Sequence, residues 1–265
     1  MADSRIMELR NAISSYRPGS TIRTARQRPQ HPPARLRIGL FGPTGVGKSA
    51  FINSALYATG ETWDNLAPEG FTEDPHASKT RALNSYDISD FVSLVDNRGM
   101  RRLGGNFMIE LGNQVAGVYG EGHKVDWDSG FYKRLVSGLK RTFISSKDCE
   151  IHTCVLVVSA ERLGIRPADI RELVETIRYM TGEPPIIIIT NCCSPMVVRS
   201  DVAAFRVGLQ DMGIDYLFEL ENYTLQSHDY DRKKHVDALE ALRQCLVVGD
   251  RVMKNKEESS KCTIL

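Results

Sequence analysis

The sequence predicts an α/β fold with a doubly wound, mostly parallel sheet and helices on both faces. Short apolar stretches that suit strands alternate along the chain with longer stretches of helical periodicity, which is typical of parallel sheets. The run Ile186–Thr190 contains only β-branched residues, as expected of a strand buried on both faces. Such folds bind ligands at the carboxyl ends of their strands, so the functional residues are expected there.

The clearest motif directly follows the first predicted strand. Residues 42–49 have the sequence Gly-Pro-Thr-Gly-Val-Gly-Lys-Ser, which matches G-x-x-x-x-G-K-[ST] between a strand and a helix. The glycines allow the backbone to wrap a pyrophosphate, while Lys48 is expected to contact the β- and γ-phosphates and Ser49 to bind Mg²⁺. A glycine-rich turn that binds nothing is the alternative. The predicted nucleotide contacts of this loop are Gly42, Pro43, Thr44, Gly45, Val46, Gly47, Lys48, Ser49 and Ala50.

A second motif, D-x-x-G at residues 96–99, ends another apolar strand about 50 residues later. Asp96 can hold Mg²⁺ through water, and the Gly99 N–H can meet a γ-phosphate. A hydroxyl from the preceding loop should complete the metal shell; Thr80 is preferred, with Thr72 and Ser78 as alternatives. The two motifs together predict a P-loop NTPase G-domain. The predicted Mg²⁺ set is Ser49, Thr80 and Asp96.

The residue after this motif is Met100, where many small GTPases carry a glutamine that orients water. Methionine cannot position water by hydrogen bonding, so any hydrolysis should be slow or assisted by another group. No catalytic residue is assigned. Three nearby arginines could provide an internal arginine finger or simply form a solvated, partner-facing patch: Arg98, Arg101 and Arg102.

The base-recognition position departs from the GTPase pattern. The strand equivalent to Ile186–Thr190 ends in [NT]-K-x-D in GTPases, and the carboxylate of that motif accepts two hydrogen bonds from guanine. Here the chain continues Asn191-Cys192-Cys193-Ser194, so a thiol or a hydroxyl stands where the carboxylate belongs. The loss of two charge-assisted hydrogen bonds predicts that the affinity for guanine relative to other bases falls by a factor of roughly 10² to 10⁴. The nucleotide contacts predicted for this segment are Thr190, Asn191 and Cys193.

Composition narrows the function classes. The 34 basic and 33 acidic residues nearly balance, so nucleic acid is not an expected partner. The apolar runs are strand-sized and the start lacks a secretory leader, which predicts a cytoplasmic protein with reduced thiols. A zinc site is the weaker alternative to buried thiols, because no C-x-x-C spacing occurs. Its residues would be Cys149, His152, Cys154, Cys192 and Cys193.

The chain divides into three predicted segments. Residues 1–35 form a helix and an Arg/Pro-rich arm, residues 36–250 the G-domain, and residues 251–265 a flexible tail. The arm either grips phosphates or an acidic partner, or lies along the domain as a solvated linker. The glycine-rich segment 99–147 is expected to be a surface for protein effectors or for self-association.

The last four residues, Cys262-Thr-Ile-Leu265, match the C-a-a-X prenylation signal. Lipidation of Cys262, together with nearby lysines, predicts reversible membrane contact for an otherwise cytoplasmic protein. An ordinary free cysteine in a frayed tail is the alternative.

Several motifs in this order resemble the interferon-induced protein 44 family of GTPase-like proteins, over most of residues 1–250. They are Ser15-Tyr16-Arg17-Pro18, the phosphate loop, the D-x-x-G motif, Ile151-His-Thr-Cys154, Asn222-Tyr223 and Ala241-Leu-Arg-Gln244. The resemblance implies a P-loop G-domain, GTP-type nucleotide binding, a cytosolic location and a role in innate immune or antiviral responses. The Thr-x-x-Asp position of that family falls on Thr190 to Cys193, where the aspartate is missing.

The sequence therefore predicts Mg²⁺-dependent binding of a purine nucleoside triphosphate, GTP above all, with slow hydrolysis as its enzymatic activity. Two alternatives stay open. One is a pseudo-GTPase interaction scaffold with weak or no hydrolysis, and the other is a P-loop ATPase or small kinase.

Overall fold

The computed structural model describes residues 2–24, 27–60, 62–68, 80–100, 107–125, 127, 146–163 and 167–262. Within these residues the strands are β1 (Leu36–Phe41), β2 (Asn84–Ser89), β3 (Val92–Asp96), β4 (Thr153–Ser159), β5 (Ile186–Thr190) and β6 (Leu217–Glu219). The α-helices are α1 (Ala2–Ser14), α2 (Lys48–Thr59), α3 (Phe107–Val115), α4 (Pro167–Thr181), α5 (Arg199–Gln210) and α6 (Arg232–Cys262). Short 3₁₀ turns lie at Lys147–Cys149 and Ala160–Arg162.

The strands form one six-stranded sheet in the order β2-β3-β1-β4-β5-β6. β2 runs antiparallel to β3, and the other neighbouring pairs are parallel. The parallel strands therefore end at one edge of the sheet, and the loops that follow β1, β3, β4, β5 and β6 meet there. Every residue of β3, β4 and β5 is buried. For β5 this agrees with the burial on both faces expected of its β-branched run.

Helices cover both faces of the sheet, because successive side chains of each strand point to opposite sides. Ile38 of β1 and Ile188 of β5 pack in a core with α1, α2 and α6. Phe41 of β1 and Ile187 of β5 pack in a second core with α3, α4 and α5. Each fully buried side chain of this kind stabilises the fold by about 1.5–3 kcal/mol. The prediction of a doubly wound α/β fold is confirmed.

The C-terminal helix is longer than predicted. α6 continues to Cys262, so residues 251–262, assigned from the sequence to a flexible tail, are helical. Val252 and Met253 are buried against the first core, and Lys256 forms an ion pair with Glu150. Residues 251–262 are rich in charged side chains, which favoured a solvated tail. The buried Val252 and Met253 and this ion pair instead stabilise the longer helix. The side chain of Cys262 and residues 263–265, which the prenylation prediction concerns, lie outside the described part of the chain.

The described part of the N-terminal arm lies along the domain, as the linker alternative predicted. The carboxylate of Asp250, fully buried on α6, accepts hydrogen bonds from the Tyr16 hydroxyl, from Gly19 N and from the backbone and hydroxyl of Thr21. Further along the arm, Gln30 N donates to Glu257. The arm is thereby fastened to α6 rather than extended toward the loops at the carboxyl edge.

None of the helices in the described ranges combines the length and the apolar character that crossing a membrane requires.

Candidate nucleotide-binding site

The phosphate loop joins β1 to α2 at the carboxyl edge of the sheet. Gly42, Gly45 and Gly47 have φ of 140°, 75° and 94°, a region that side chains strongly disfavour. A Cβ on Gly42 would lie 2.2 Å from the carbonyl oxygen of Val157 in β4. The motif glycines are therefore required by the path of the loop, and the loop brings Lys48 to the first turn of α2.

Lys48 provides a buried positive charge inside the loop. Its side chain is 6% exposed, and its Nζ donates to the carbonyl oxygens of Gly42 at 3.1 Å and of Pro43 at 2.8 Å. Burial lowers the pKa of Lys48 to about 8, and the charge of Asp96 acts in the opposite direction. The ammonium group is thus held by carbonyl oxygens of the loop that would surround a phosphate chain.

The three residues of the predicted Mg²⁺ set lie together. The Ser49 hydroxyl donates to Oδ2 of Asp96 at 2.8 Å, and the Thr80 hydroxyl donates to the same oxygen at 2.9 Å. The other carboxylate oxygen accepts from Asn97 N at 2.9 Å. Asp96 is fully buried; burial raises its pKa, while Lys48 and these hydrogen bonds oppose the rise. Thr72 and Ser78, the alternatives to Thr80, lie outside the described residues.

This oxygen cluster fits Mg²⁺. A hydroxyl that gives its hydrogen to Asp96 keeps its lone pairs directed away from the carboxylate, where they can face a cation. Hard oxygen donors are the ligands that Mg²⁺ prefers, and it usually keeps several waters in its shell. Ser49 and Thr80 would therefore bind the ion directly, and Asp96 would orient both hydroxyls and hold the bound water.

The D-x-x-G segment lies directly against the phosphate loop. Met100 N donates to the Gly42 carbonyl at 3.0 Å, and Thr44 N donates to the Met100 carbonyl at 3.2 Å. A Cβ on Gly99 would lie 2.4 Å from Cα of Thr44, so only glycine allows this approach. The side chain of Met100 is buried in the second core. Its thioether is only a weak acceptor and, because it is buried, does not face solvent.

The arginine close to this loop differs from those considered from the sequence. Arg98 Nη1 donates to the Val125 carbonyl at 3.1 Å, and Arg101 and Arg102 lie outside the described residues. Arg162, in the 3₁₀ turn after β4, donates from Nη1 to the carbonyl of Thr44 at 3.1 Å. Arg162 was not among the residues predicted from the sequence, although it follows a buried strand directly.

The predicted base-recognition segment follows β5. Thr190 is buried, and its hydroxyl donates to the Val46 carbonyl at 2.7 Å, so it braces the phosphate loop from behind. Asn191 has a φ of 57° and donates from Nδ2 to Ser159 Oγ at 3.0 Å. The side chain of Cys193 is exposed at this edge. Thus Thr190 supports the loop, while Asn191 and Cys193 lie at the surface beside it.

A further loop, which follows β6, was not assigned to the site from the sequence. Asn222 donates from Nδ2 to the Gly47 carbonyl at 3.1 Å, and Tyr223 N donates to the Ser54 hydroxyl at 2.8 Å. The preceding residue, Glu221, accepts a hydrogen bond from Cys193 N at 2.5 Å. Residues 221–223 therefore touch the phosphate loop, α2 and the base-recognition segment together.

Cys154, Cys192 and His152 are buried, whereas Cys149 is half-buried and Cys193 is exposed. Burial raises the pKa of the Cys154 thiol and of the Cys192 thiol to about 12. His152 Nδ1 accepts from Arg37 N at 3.1 Å, and burial lowers the pKa of this histidine to about 3. Across the described ranges, no three His, Cys, Asp or Glu side chains are grouped to hold a metal ion. This arrangement favours buried thiols over the zinc alternative.

No protein-family model matches the chain, and no curated protein matches it either. Among solved structures, the chain is similar to Toc33 from Arabidopsis thaliana in complex with GDP and Mg²⁺, with 12% identity, a TM-score of 0.46, and coverage of 94% of this chain and 92% of that one. It is also similar to the septin GTPase domain from Chlamydomonas reinhardtii, with 13% identity, a TM-score of 0.45, and coverage of 86% and 98%. A third is Era in complex with MgGDPNP and nucleotides 1506-1542 of 16S ribosomal RNA, with 12% identity, a TM-score of 0.39, and coverage of 71% and 51%.

The chain has the fold of a P-loop NTPase G-domain, as predicted. Its mostly parallel sheet has the phosphate loop between the central strand β1 and helix α2, and the D-x-x-G segment follows the adjacent strand β3.

Proposed function

We propose that this chain binds a purine nucleoside triphosphate together with Mg²⁺, with GTP as the expected nucleotide, and acts as a nucleotide-dependent switch. The supporting observation is the convergence of Ser49, Thr80 and Asp96 near the buried Lys48. Three separate segments of the chain supply these oxygens. Burying a cation and a carboxylate costs free energy unless they have a partner, so a turn that binds nothing would not need them.

Each residue of the site has a defined part in binding. The loop backbone N–H groups and Lys48 bind the phosphate oxygens, and the positive end of the α2 dipole adds to the attraction. When bound, Mg²⁺ neutralises charge on the β- and γ-phosphates. Thr80 and Gly99 belong to the two segments that approach the γ-phosphate, so its presence or loss changes what these segments contact.

Slow hydrolysis is the enzymatic part of the proposal. Its rival is a pseudo-GTPase scaffold that binds nucleotide without turnover. One observation favours the rival: Met100 is buried and bonded through its backbone to the phosphate loop, so its side chain cannot orient water. Phosphate release from GTP distinguishes them, with Lys48→Ala as the control. Equal release by the two proteins would leave the scaffold as the function.

The wider roles rest on the sequence. The resemblance to the interferon-induced protein 44 family supports a proposed role in innate immune responses. The C-a-a-X sequence supports prenylation of Cys262 in the cytoplasm and reversible membrane contact, which an intact-mass measurement of the expressed protein would test. About half of segment 99–147, proposed to bind effectors or a second copy, lies outside the described residues.

The binding proposal is tested by calorimetric titration with non-hydrolysable GTP and ATP analogues in the presence of Mg²⁺. Lys48→Ala should weaken binding of both analogues by about a hundredfold or more, because two charge-assisted hydrogen bonds are lost. Lys254→Ala is the matched control, since this lysine pairs with Glu258 near the C-terminal end of α6 and should bind like wild type. Absence of binding by the wild-type protein, or equal binding by Lys48→Ala, would contradict the proposal.

A further inference from the structure

The missing aspartate leaves the base-recognition segment without a carboxylate that could accept hydrogen bonds from guanine. Guanine presents two donors side by side, the N1–H and the 2-amino group, whereas adenine has an acceptor at N1 and no donor at C2. A carboxylate is the side chain that accepts both hydrogen bonds at once. Asn191, Cys192, Cys193 and Ser194 provide no carboxylate. A GTP-selective site therefore needs a carboxylate from another part of the chain.

Glu221 places a carboxylate at this position. Its Oε1 accepts a hydrogen bond from the backbone N–H of Cys193 at 2.5 Å. Cys193 stands at the aspartate position when the motif is aligned from Thr190, and Ser194 follows directly. The residue is half-buried, so the group is held but reachable. A carboxylate has about four acceptor sites, and one bond to Cys193 leaves capacity for two donors of a base.

The loop that bears Glu221 is fixed relative to the phosphate loop. On one side, Leu220 N donates to the Ile189 carbonyl at 2.9 Å, which continues the pairing of β6 with β5. On the other side, Asn222 Nδ2 donates to the Gly47 carbonyl at 3.1 Å. The carboxylate is thus held between two attachments, one of them to the loop that would bind the phosphates of the same nucleotide.

Two other glutamates near this edge have other described partners. Glu219 forms an ion pair with Arg206 of α5. Glu161 Oε2 accepts a hydrogen bond from Asn191 Nδ2 at 3.5 Å. We propose that Glu221 recognises guanine in place of the missing aspartate and makes the site selective for GTP over ATP; this rests on the proposed function.

The test compares wild type and Glu221→Gln in titrations with analogues of GTP, ATP and XTP. Xanthine has an oxygen at C2 in place of the amino group of guanine. In the variant the amide oxygen stays on the Cys193 N–H, and the amide NH₂ group then faces the base. We expect GTP affinity to fall by about a hundredfold, since two charge-assisted hydrogen bonds are lost, and XTP to bind better than GTP.

Glu219→Gln is the matched control, because it makes the same chemical change two residues away in the same strand and loop. It should keep the wild-type order of affinities, with GTP above ATP and XTP. A variant that is only unstable would lose affinity for all three nucleotides. A variant that has lost guanine recognition would instead bind XTP more tightly than GTP.

Binding of inorganic tripolyphosphate with Mg²⁺ distinguishes the proposed nucleotide binding from the proposed role of Glu221, because tripolyphosphate has no base. If wild type binds tripolyphosphate but does not distinguish GTP from ATP, or if Glu221→Gln retains GTP preference, the role of Glu221 is wrong and the phosphate site stands. If wild type binds neither tripolyphosphate nor any nucleotide, the proposed function is wrong as well.

Discussion

The phosphate end and the base end of the candidate site share one edge of the sheet but differ in burial and in origin. At the phosphate end, Lys48 is 6% exposed, Asp96 is fully buried, and the loop around them is one continuous motif. At the base end, Cys193 is exposed, Glu221 is half-buried, and the two residues come from loops after different strands.

This difference follows from what each end has to hold. A phosphate chain is held by a backbone that wraps around it, so the spacing of glycines and lysine is fixed along the sequence. A base edge needs two acceptor atoms at one place, and any nearby loop can supply them. The phosphate end can therefore be recognised in the sequence as a motif, whereas the base end depends on tertiary contacts.

Asp96→Asn tests the phosphate end of the site and is expected to have the largest effect on nucleotide binding. The substitution keeps the shape but replaces the charge that orients Ser49 and Thr80 with a neutral amide. The increase in triphosphate affinity caused by Mg²⁺ should shrink by about a hundredfold, since two hydrogen bonds to a charged group are weakened.

Titrations with Mg²⁺ and with a chelator measure this increase. Asp87→Asn is the matched control, because this exposed aspartate of β2 pairs with Arg35 far from the loop. An unchanged Mg²⁺ effect in Asp96→Asn would mean that the oxygen cluster is purely structural.

A smaller effect is expected from Asn222→Ala, which removes the link between the two ends. Asn222 bonds to the Gly47 carbonyl and accepts from the Ser54 hydroxyl at 3.4 Å. Without it the loop that bears Glu221 should be less well fixed, so GTP affinity should fall about tenfold, in line with the loss of one or two neutral hydrogen bonds.

Binding of tripolyphosphate provides the comparison for this variant. It should change less than binding of GTP, because Lys48 and the loop backbone remain. Equal losses for both ligands would show that Asn222 serves the phosphate end and that the two ends are not separable.

The phosphate end could be predicted because its functional residues follow a characteristic spacing along the sequence. The glycines, Lys48 and Ser49 lie within eight residues, and Asp96 ends a buried strand at a typical distance. Thr80 could be preferred over other hydroxyls because it stood directly before a strand. Its hydroxyl does lie on Asp96.

Other features depend on contacts between distant parts of the chain, and local spacing does not identify the partners of these residues. Glu221 and Arg162 each follow a strand, but nothing in the neighbouring residues shows which loop they face. The length of α6 was missed for a related reason. Its charged end resembles a solvated tail until Lys256 is seen beside Glu150 and Met253 against the core.

The smallest effect is expected from Arg162→Ala, and it concerns turnover rather than binding. The Arg162 guanidinium lies on the Thr44 carbonyl, at the point where the phosphate loop meets Gly99. A cation there would stabilise the charge that develops on the transferred phosphoryl group. Because Arg162 is exposed, solvent screens its charge, and we expect a decrease in the rate of phosphate release of about fivefold at most, far below that of a fully enclosed arginine finger.

Single-turnover phosphate release and titration with a non-hydrolysable analogue separate the rate from the affinity, which should stay within about twofold of wild type. Arg28→Ala is the matched control, because this exposed arginine of the N-terminal arm also donates to a backbone carbonyl, that of Ile22, and should leave the rate unchanged. A rate in Arg162→Ala equal to that of wild type would remove Arg162 from turnover. Met100 cannot orient water. Among the described side chains, only Lys48 and the Mg²⁺ set (Ser49, Thr80 and Asp96) would then be available to stabilise the transition state of hydrolysis. That result would support the scaffold function.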